Sequence, residues 1–105
     1  EPFAALDEQT KLVLQGELLR IWEGTRKTVL YVTHSIDEAI VLADRIVVLS
    51  ARPGHIVDTV DVSGVFARPR DIVRVRASAQ YGDLFARVWQ QLRSSAVAAA
   101  RQAAS

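Results

Sequence analysis

Apolar positions along this chain change period several times, and each change predicts an element. Over residues 8–23, Leu14, Leu18, Ile21 and Trp22 share one face at helical spacing, with Leu12 and Leu19 on the other side. Apolar residues on both sides predict a helix packed between neighbours. Asp7 is placed to cap it by accepting from the free amides of the first turn, and Gly24 to stop it. Residues 28–33 (Thr-Val-Leu-Tyr-Val-Thr) are apolar and β-branched without alternation. That pattern predicts a strand buried on both faces, the habit of parallel sheets covered by helices.

Ser35-Ile36-Asp37-Glu38 matches a capping box, in which the serine hydroxyl and the glutamate carboxylate satisfy free amides reciprocally. A short helix should follow, with Ile36, Ala39, Ile40 and Ala43 inward, ending near Ala43 or Asp44. Residues 45–50 predict another strand, and Ala51-Arg52-Pro53-Gly54 a turn, with Pro then Gly suited to the centre of type II. Residues 55–62 should return as a hairpin partner, partly exposed because Asp58 and Asp61 interrupt it. After a break at Arg68-Pro69-Arg70, a last helix from about Ser78 carries Tyr81, Leu84, Phe85, Val88, Trp89 and Leu92 as an apolar stripe. Its alanine-rich end, residues 96–105, is expected to fray. Strand, helix and strand with a buried first strand is α/β architecture.

Half of the 105 residues are apolar and the formal charge is +1. The chain is therefore of globular composition and lacks the strongly basic footprint of a nucleic-acid binder. Absence of cysteine excludes disulfides and thiolate metal sites. No apolar run approaches the roughly 20 residues of a membrane-spanning helix. There is also no methionine, which leads us to expect further sequence upstream of Glu1.

Few side chains are candidates for chemistry. Glu1, read alone, is a solvated terminal residue. Asp7 is a helix cap. His34 follows the first strand and precedes a helix, the position at which α/β sheets present ligands, and an imidazole there can donate to a phosphate oxygen. The bland alternative is a hydrogen-bonded structural histidine. His55, in the Pro-Gly turn, is expected at the surface. Arg68, Arg70, Arg74 and Arg76, tempered by Asp71, read as a solvated basic loop, with contact to a partner or an anionic leaflet as the alternative.

Two motifs change those odds. Glu1-Pro2-Phe3-Ala4-Ala5-Leu6-Asp7 and Val32-Thr33-His34-Ser35, separated by one helix-length and one strand-length segment, resemble the second half of the nucleotide-binding domain of an ABC transporter. Three further stretches resemble the branch serving nitrate, sulfonate and taurine importers. They are Leu6-Asp7-Glu8-Gln9-Thr10-Lys11 leading to Trp22-Glu23-Gly24-Thr25, then Asp37-Glu38-Ala39-Ile40-Val41-Leu42-Ala43-Asp44-Arg45, and Val48-Leu49-Ser50-Ala51-Arg52-Pro53-Gly54-His55-Ile56. Ser35 stands where many members carry aspartate, which leaves its capping role intact. The likeness covers residues 1 to about 92.

The resemblance implies a partial P-loop NTPase core with parallel strands, then a β-hairpin and a C-terminal helix. Residues 1–62 would be the α/β remnant and hairpin, and residues 63–105 a helical segment, of one nucleotide-binding domain. It implies that Glu1 activates water, that His34 senses the terminal phosphate of ATP, and that Ala4, Ala5, Leu6 and Asp7 form a loop meeting its counterpart in a dimer. Implied cofactors are ATP and Mg²⁺. Implied partners are a second nucleotide-binding domain, a transmembrane permease and, indirectly, a solute-binding protein, at the cytoplasmic face of the inner membrane. The intact parent is expected to couple ATP hydrolysis to import.

This chain, as a C-terminal fragment opening on the catalytic glutamate, is expected to be inactive alone. Gly-x-x-x-x-Gly-Lys-Ser/Thr does not occur in it, nor does the signature motif. One histidine contributes about 1.5–3 kcal/mol to an anion, short of the roughly 4.1 kcal/mol of even millimolar binding. A strand deprived of its neighbours also predicts a marginal fold with exposed apolar surface. The alternatives are a stand-alone non-enzymatic docking module, a decayed gene product, or a non-transport ABC ATPase.

Overall fold

The computed structural model describes residues 7–25, 27–50 and 54–104, apart from the side chains of residues 102 and 104. In chain order these form α1 (Glu8–Thr25), α2 (Ile36–Leu42), β1 (Arg45–Leu49), β2 (Ile56–Asp61), α3 (Ile72–Ala77) and α4 (Ala79–Ala104). The Pro-Gly turn falls at residues 51–54, largely outside the described residues.

Asp7 starts α1 as expected: Thr10 N donates to its Oδ1 at 2.8 Å and the Thr10 hydroxyl to its Oδ2 at 3.1 Å. These bonds, the backbone one first, hold the Asp7 carboxyl below its ordinary pKa. Only Gln15 and Leu19 of α1 are buried, while Leu12, Val13, Leu14 and Ile21 remain exposed. The expected covering on both sides is thus present on one side only.

β1 and β2 pair antiparallel, with Arg45 opposite Asp61, Ile46 opposite Val60 and Val48 opposite Asp58, and a bulge between Val48 and Leu49. Ile46, Val48, Val60 and Val62 turn inward, whereas Val47 and Leu49 face out. This alternation suits an antiparallel ribbon covered on one face. Against that face lie Ile40, Val41 and Leu42 of α2, Ile72 and Val75 of α3, and Leu84 and Val88 of α4.

Residues 28–33, expected as a doubly buried strand, carry no ladder in the structure. Val29 is 45%, Leu30 93% and Val32 73% exposed. The physical reason is the lack of a strand beside them among the described residues; an extended segment becomes a strand only by pairing its amides and carbonyls. The architecture described is therefore helices over one small antiparallel hairpin.

Two features departed from the sequence reading beyond the break. Asp71 caps a helix where the arginine-rich stretch predicts a loop, its Oδ1 accepting from Val73 N at 3.0 Å and Arg74 N at 3.3 Å. Ser78 then serves two helices: its hydroxyl donates to the Val75 carbonyl at 2.7 Å and accepts from Tyr81 N at 3.2 Å, ending α3 and starting α4. The alanine-rich end stays helical through Ala104 instead of fraying, in keeping with the high helix propensity of alanine.

Candidate functional site

The site is built around the turn joining residues 27–33 to α2. Ser35 has extended backbone, φ −91° and ψ 115°, and its hydroxyl accepts from Glu38 N at 3.2 Å. Half of the expected capping box is therefore present. The Glu38 carboxylate does not return to the Ser35 amide. It is buried, with 3% of the residue exposed, and accepts from the Tyr31 hydroxyl at 2.7 Å and the Thr33 hydroxyl at 3.2 Å. The Ser35 amide donates to Thr33 Oγ1 instead, at 3.0 Å. Tyr31 in turn meets Trp22 of α1 edge-on, with ring centroids 6.1 Å apart.

His34, exposed, sits at the apex of this turn. It lines an open recess of about 430 Å³ with Ser35, Ile36, Asp37, Phe85 and Trp89. Phe85 and Trp89 belong to the apolar stripe of α4, and both are more exposed than Leu84 and Val88 on the same helix. The sequence places all of them on one apolar stripe; which part of it is left uncovered was hidden because a stripe wider than its partner looks the same in sequence.

Behind the turn, α2 is clamped from both ends. Asp37 takes a forked bond from Arg76, Nε to Oδ1 at 2.8 Å and Nη2 to Oδ2 at 2.6 Å, and a third from the Tyr81 hydroxyl at 2.6 Å. Burial pushes the Asp37 pKa up, but the bonds from Arg76 and Tyr81 outweigh it and hold the carboxyl below its ordinary value. Tyr81 is pushed up to about 12, by burial first and then by its bond to Asp37. Arg76 Nη2 also reaches Gln15 Oε1 at 3.2 Å, while the buried Gln15 amide nitrogen has no partner among the described residues.

At the other end, Arg70 Nη1 donates to the carbonyls of Ala43 at 2.6 Å and Val41 at 3.4 Å, and its Nε to that of Phe66 at 3.1 Å. Arg68 reaches the Leu42 carbonyl at 2.6 Å, Asp44 at 2.8 Å and Glu23 at 3.1 Å. Burial, then repulsion from Arg68, pushes the Arg70 pKa down to about 10. The solvated basic loop is thereby corrected: the Arg70 side chain is 1% exposed, and only Arg74 of the four stands out in solvent. Free carbonyls at the end of a short helix supplied the partners that made burial of a guanidinium affordable.

Of the residues singled out in sequence, Glu1, Ala4, Ala5 and Leu6 lie outside the described residues. Asp7 caps α1. His55 is exposed, as expected, and its amide donates to the Ser50 hydroxyl at 3.1 Å. Among the described residues there is no group of three or more His, Cys, Asp or Glu that could hold a metal ion. The recess, lined by His34, Ser35, Ile36, Asp37, Phe85 and Trp89, offers a nucleotide one imidazole beside a carboxylate and two aromatic rings. The described residues thus do not by themselves fit Mg²⁺ or a whole ATP. No described helix is long and apolar enough to cross a membrane.

No family model matches the chain. Its relatives are nevertheless clear. It is 59% identical over 71 residues to an uncharacterised ABC transporter ATP-binding protein of Methanocaldococcus jannaschii, covering 68% of this chain and 26% of that protein. The chain is thus homologous to ABC transporter ATP-binding proteins. Import-type members are among them: it is 42% identical to the taurine import ATP-binding protein TauB of Rhizobium johnstonii, over 80% of this chain and 33% of that one. It is also 49% identical to the bicarbonate transport ATP-binding protein CmpD of Synechococcus elongatus, over 80% of this chain and 30% of that one. The chain spans about a quarter to a third of the length of the relatives it matches.

Proposed function

We propose that this chain is the part of an import-type ABC transporter ATP-binding protein that carries the phosphate-sensing histidine. The observation carrying the reading is the place of His34: at the apex of a turn pinned by Thr33, Ser35 and Glu38, facing an open recess. Homology to ATP-binding subunits, taurine and bicarbonate transporters among them, supplies the class.

In this proposal His34 donates to a terminal-phosphate oxygen of ATP held mainly by residues other than those described. Glu1 orients the attacking water. Ala4, Ala5, Leu6 and Asp7 meet the same loop of a second nucleotide-binding domain. Residues 28–33 pair within a parallel sheet completed by the rest of the domain, and residues 1–62 and 63–105 are its core and helical parts. Mg²⁺ would supply charge neutralisation at the phosphates, through ligands outside this chain. The whole protein would sit peripherally at the cytoplasmic face of the membrane, beside a permease fed by a solute-binding protein. The 105 residues alone would bind ATP more weakly than millimolar and not hydrolyse it.

The test is a chimera in which this chain replaces the aligned part of the Synechococcus relative. His34→Ala should lower kcat/KM roughly 10- to 100-fold, the worth of a charge-assisted hydrogen bond. Glu1→Gln should lower kcat by about 10²–10⁴-fold. Full turnover in the His34→Ala chimera overturns the reading. So does turnover by the unfused chain that Glu1→Gln abolishes.

A further inference from the structure

We infer that Glu38 is the positioning residue of the His34 turn, acting through the Thr33 hydroxyl. The role for which His34 is held rests on the reading above; the holding itself does not.

Three hydrogen bonds close around His34, and each passes through Glu38 or a group it orients. The carboxylate can only accept. It therefore compels the Thr33 hydroxyl, 3.2 Å from Oε1, to spend its one proton on Glu38. The hydroxyl's lone pairs are then left for the Ser35 amide, which donates to Oγ1 at 3.0 Å. Glu38 N in turn is capped by Ser35 Oγ at 3.2 Å. Residues 33 and 35, on either side of His34, are thus tied to one buried side chain on the first turn of α2. The second carboxylate oxygen takes the Tyr31 hydroxyl at 2.7 Å, fixing the chain two residues further back. Glu38 is 3% exposed and lies on neither wall of the recess, so its effect on His34 passes through the backbone and not through contact with a ligand.

A carboxylate in this place does something a generic core residue does not: it sets the polarity of the chain of bonds. A glutamine of the same shape must present a donor to one of the two hydroxyls; with its NH2 towards Thr33, that hydroxyl no longer spends its proton on residue 38 and is free to turn it towards Ser35. An apolar residue removes the chain altogether. Valine at position 33 has the same shape as threonine but cuts the relay at its centre, whereas serine preserves it.

The experiment uses the 105-residue chain without nucleotide, whose only histidines are His34 and His55. Amide hydrogen exchange and ring proton–carbon spectra are recorded for the native chain and for Glu38→Gln, Thr33→Val and Thr33→Ser. Exchange at the Ser35 amide should accelerate several-fold, up to roughly tenfold, in Glu38→Gln and Thr33→Val, the factor carried by a hydrogen bond between uncharged groups. In the same two variants the His34 ring resonances should move towards those of an unstructured histidine. Thr33→Ser should keep both readouts native. The His55 resonances and the Val60 and Val62 amides, in the hairpin, should not change. Unaltered Ser35 exchange and His34 resonances in Glu38→Gln and Thr33→Val overturn the inference. Equal acceleration at Ser35 and Val60 also overturns it, because Glu38 would then be supporting only the whole fold. Since no nucleotide is present, either failure leaves the phosphate-sensing reading to stand or fall on the chimera.

Discussion

Arg76 of α3 and Asp37 of α2 meet in a two-pronged ion pair, Nε to Oδ1 at 2.8 Å and Nη2 to Oδ2 at 2.6 Å, joining residues 39 positions apart. The planar guanidinium matches the carboxylate fork, which an ammonium does not. Arg76→Lys is therefore expected to lose one of the two bonds. With Asp37 33% exposed, solvent reduces the worth of the pair, and the loss should be about 1 kcal/mol in a urea titration. Equal midpoints for the native chain and Arg76→Lys would falsify the claim that the fork matters.

The same pair predicts a pH dependence. Bonds from Arg76 and Tyr81, against the opposing effect of burial and with a smaller contribution from Lys11, keep the folded Asp37 carboxyl below its ordinary value of 3.8. Above that value both states are ionised and the stabilisation is complete. As pH falls through 3.8 and towards the lower folded pKa, the unfolded chain binds protons first, and the stabilisation is lost. Asp37→Asn should thus be less stable than the native chain at pH 7 by about 1–2 kcal/mol, with the gap narrowing by pH 3. A gap independent of pH assigns the effect to packing instead.

Arg70 and Arg74 divide a cluster that looks uniform in sequence. Replacing Arg70 by Met strands the Ala43, Val41 and Phe66 carbonyls that it now serves. The expected cost is about 2–4 kcal/mol, since an unsatisfied buried acceptor costs about 1–3 kcal/mol and some will find water. Arg74→Ala, at an exposed position, should stay within about 0.5 kcal/mol of the native chain. Comparable losses at both positions contradict the placement of Arg70.

That contrast locates what was legible beforehand. The Ser35 cap, α2, the β1–β2 hairpin and the start of α4 at Ser78 follow from local signals, because caps and turns act through residues close in sequence. α3 was missed although Asp71 with Ile72 and Val75 carries a cap and an i, i+3 pair; six residues are too few for periodicity to outweigh the neighbouring arginines. The destinations of Arg68, Arg70 and Arg76 were not legible at all. Each is set largely by carbonyls or carboxylates 24 or more residues away, and an arginine is read as solvated unless its distant partner is known. At the site, the place of His34 ahead of a Ser35-capped helix was legible, whereas the Glu38 relay was not, since both uses of the carboxylate share one local pattern.

Ile40 lies in the middle of α2 with no exposed surface, against the inner face of the hairpin. Ile40→Ala should cost about 2–5 kcal/mol, removing the transfer free energy of the lost carbons and leaving a cavity. Thermal melts by circular dichroism would read this as a large fall in Tm. A shift as small as that of Arg74→Ala would mean that α2 is not seated on β1 and β2.

Leu30 makes the parallel-sheet reading testable by difference. In the structure it is 93% exposed, between Val29 at 45% and Tyr31, whose ring is turned towards Trp22. Nothing apolar is lost when so exposed a side chain becomes polar, so Leu30→Ser should leave the stability of the 105-residue chain within about 0.5 kcal/mol. If residues 28–33 instead become a strand covered on both faces in the whole domain, Leu30 is buried there. The same substitution in the chimera should then cost about 1.5–3 kcal/mol, the worth of burying a leucine side chain. A substitution harmless in both contexts removes the parallel strand from the proposal. One costly in both shows that residues 28–33 are already covered in the isolated chain. Only cost confined to the chimera fits a strand whose neighbours come from the remainder of the domain.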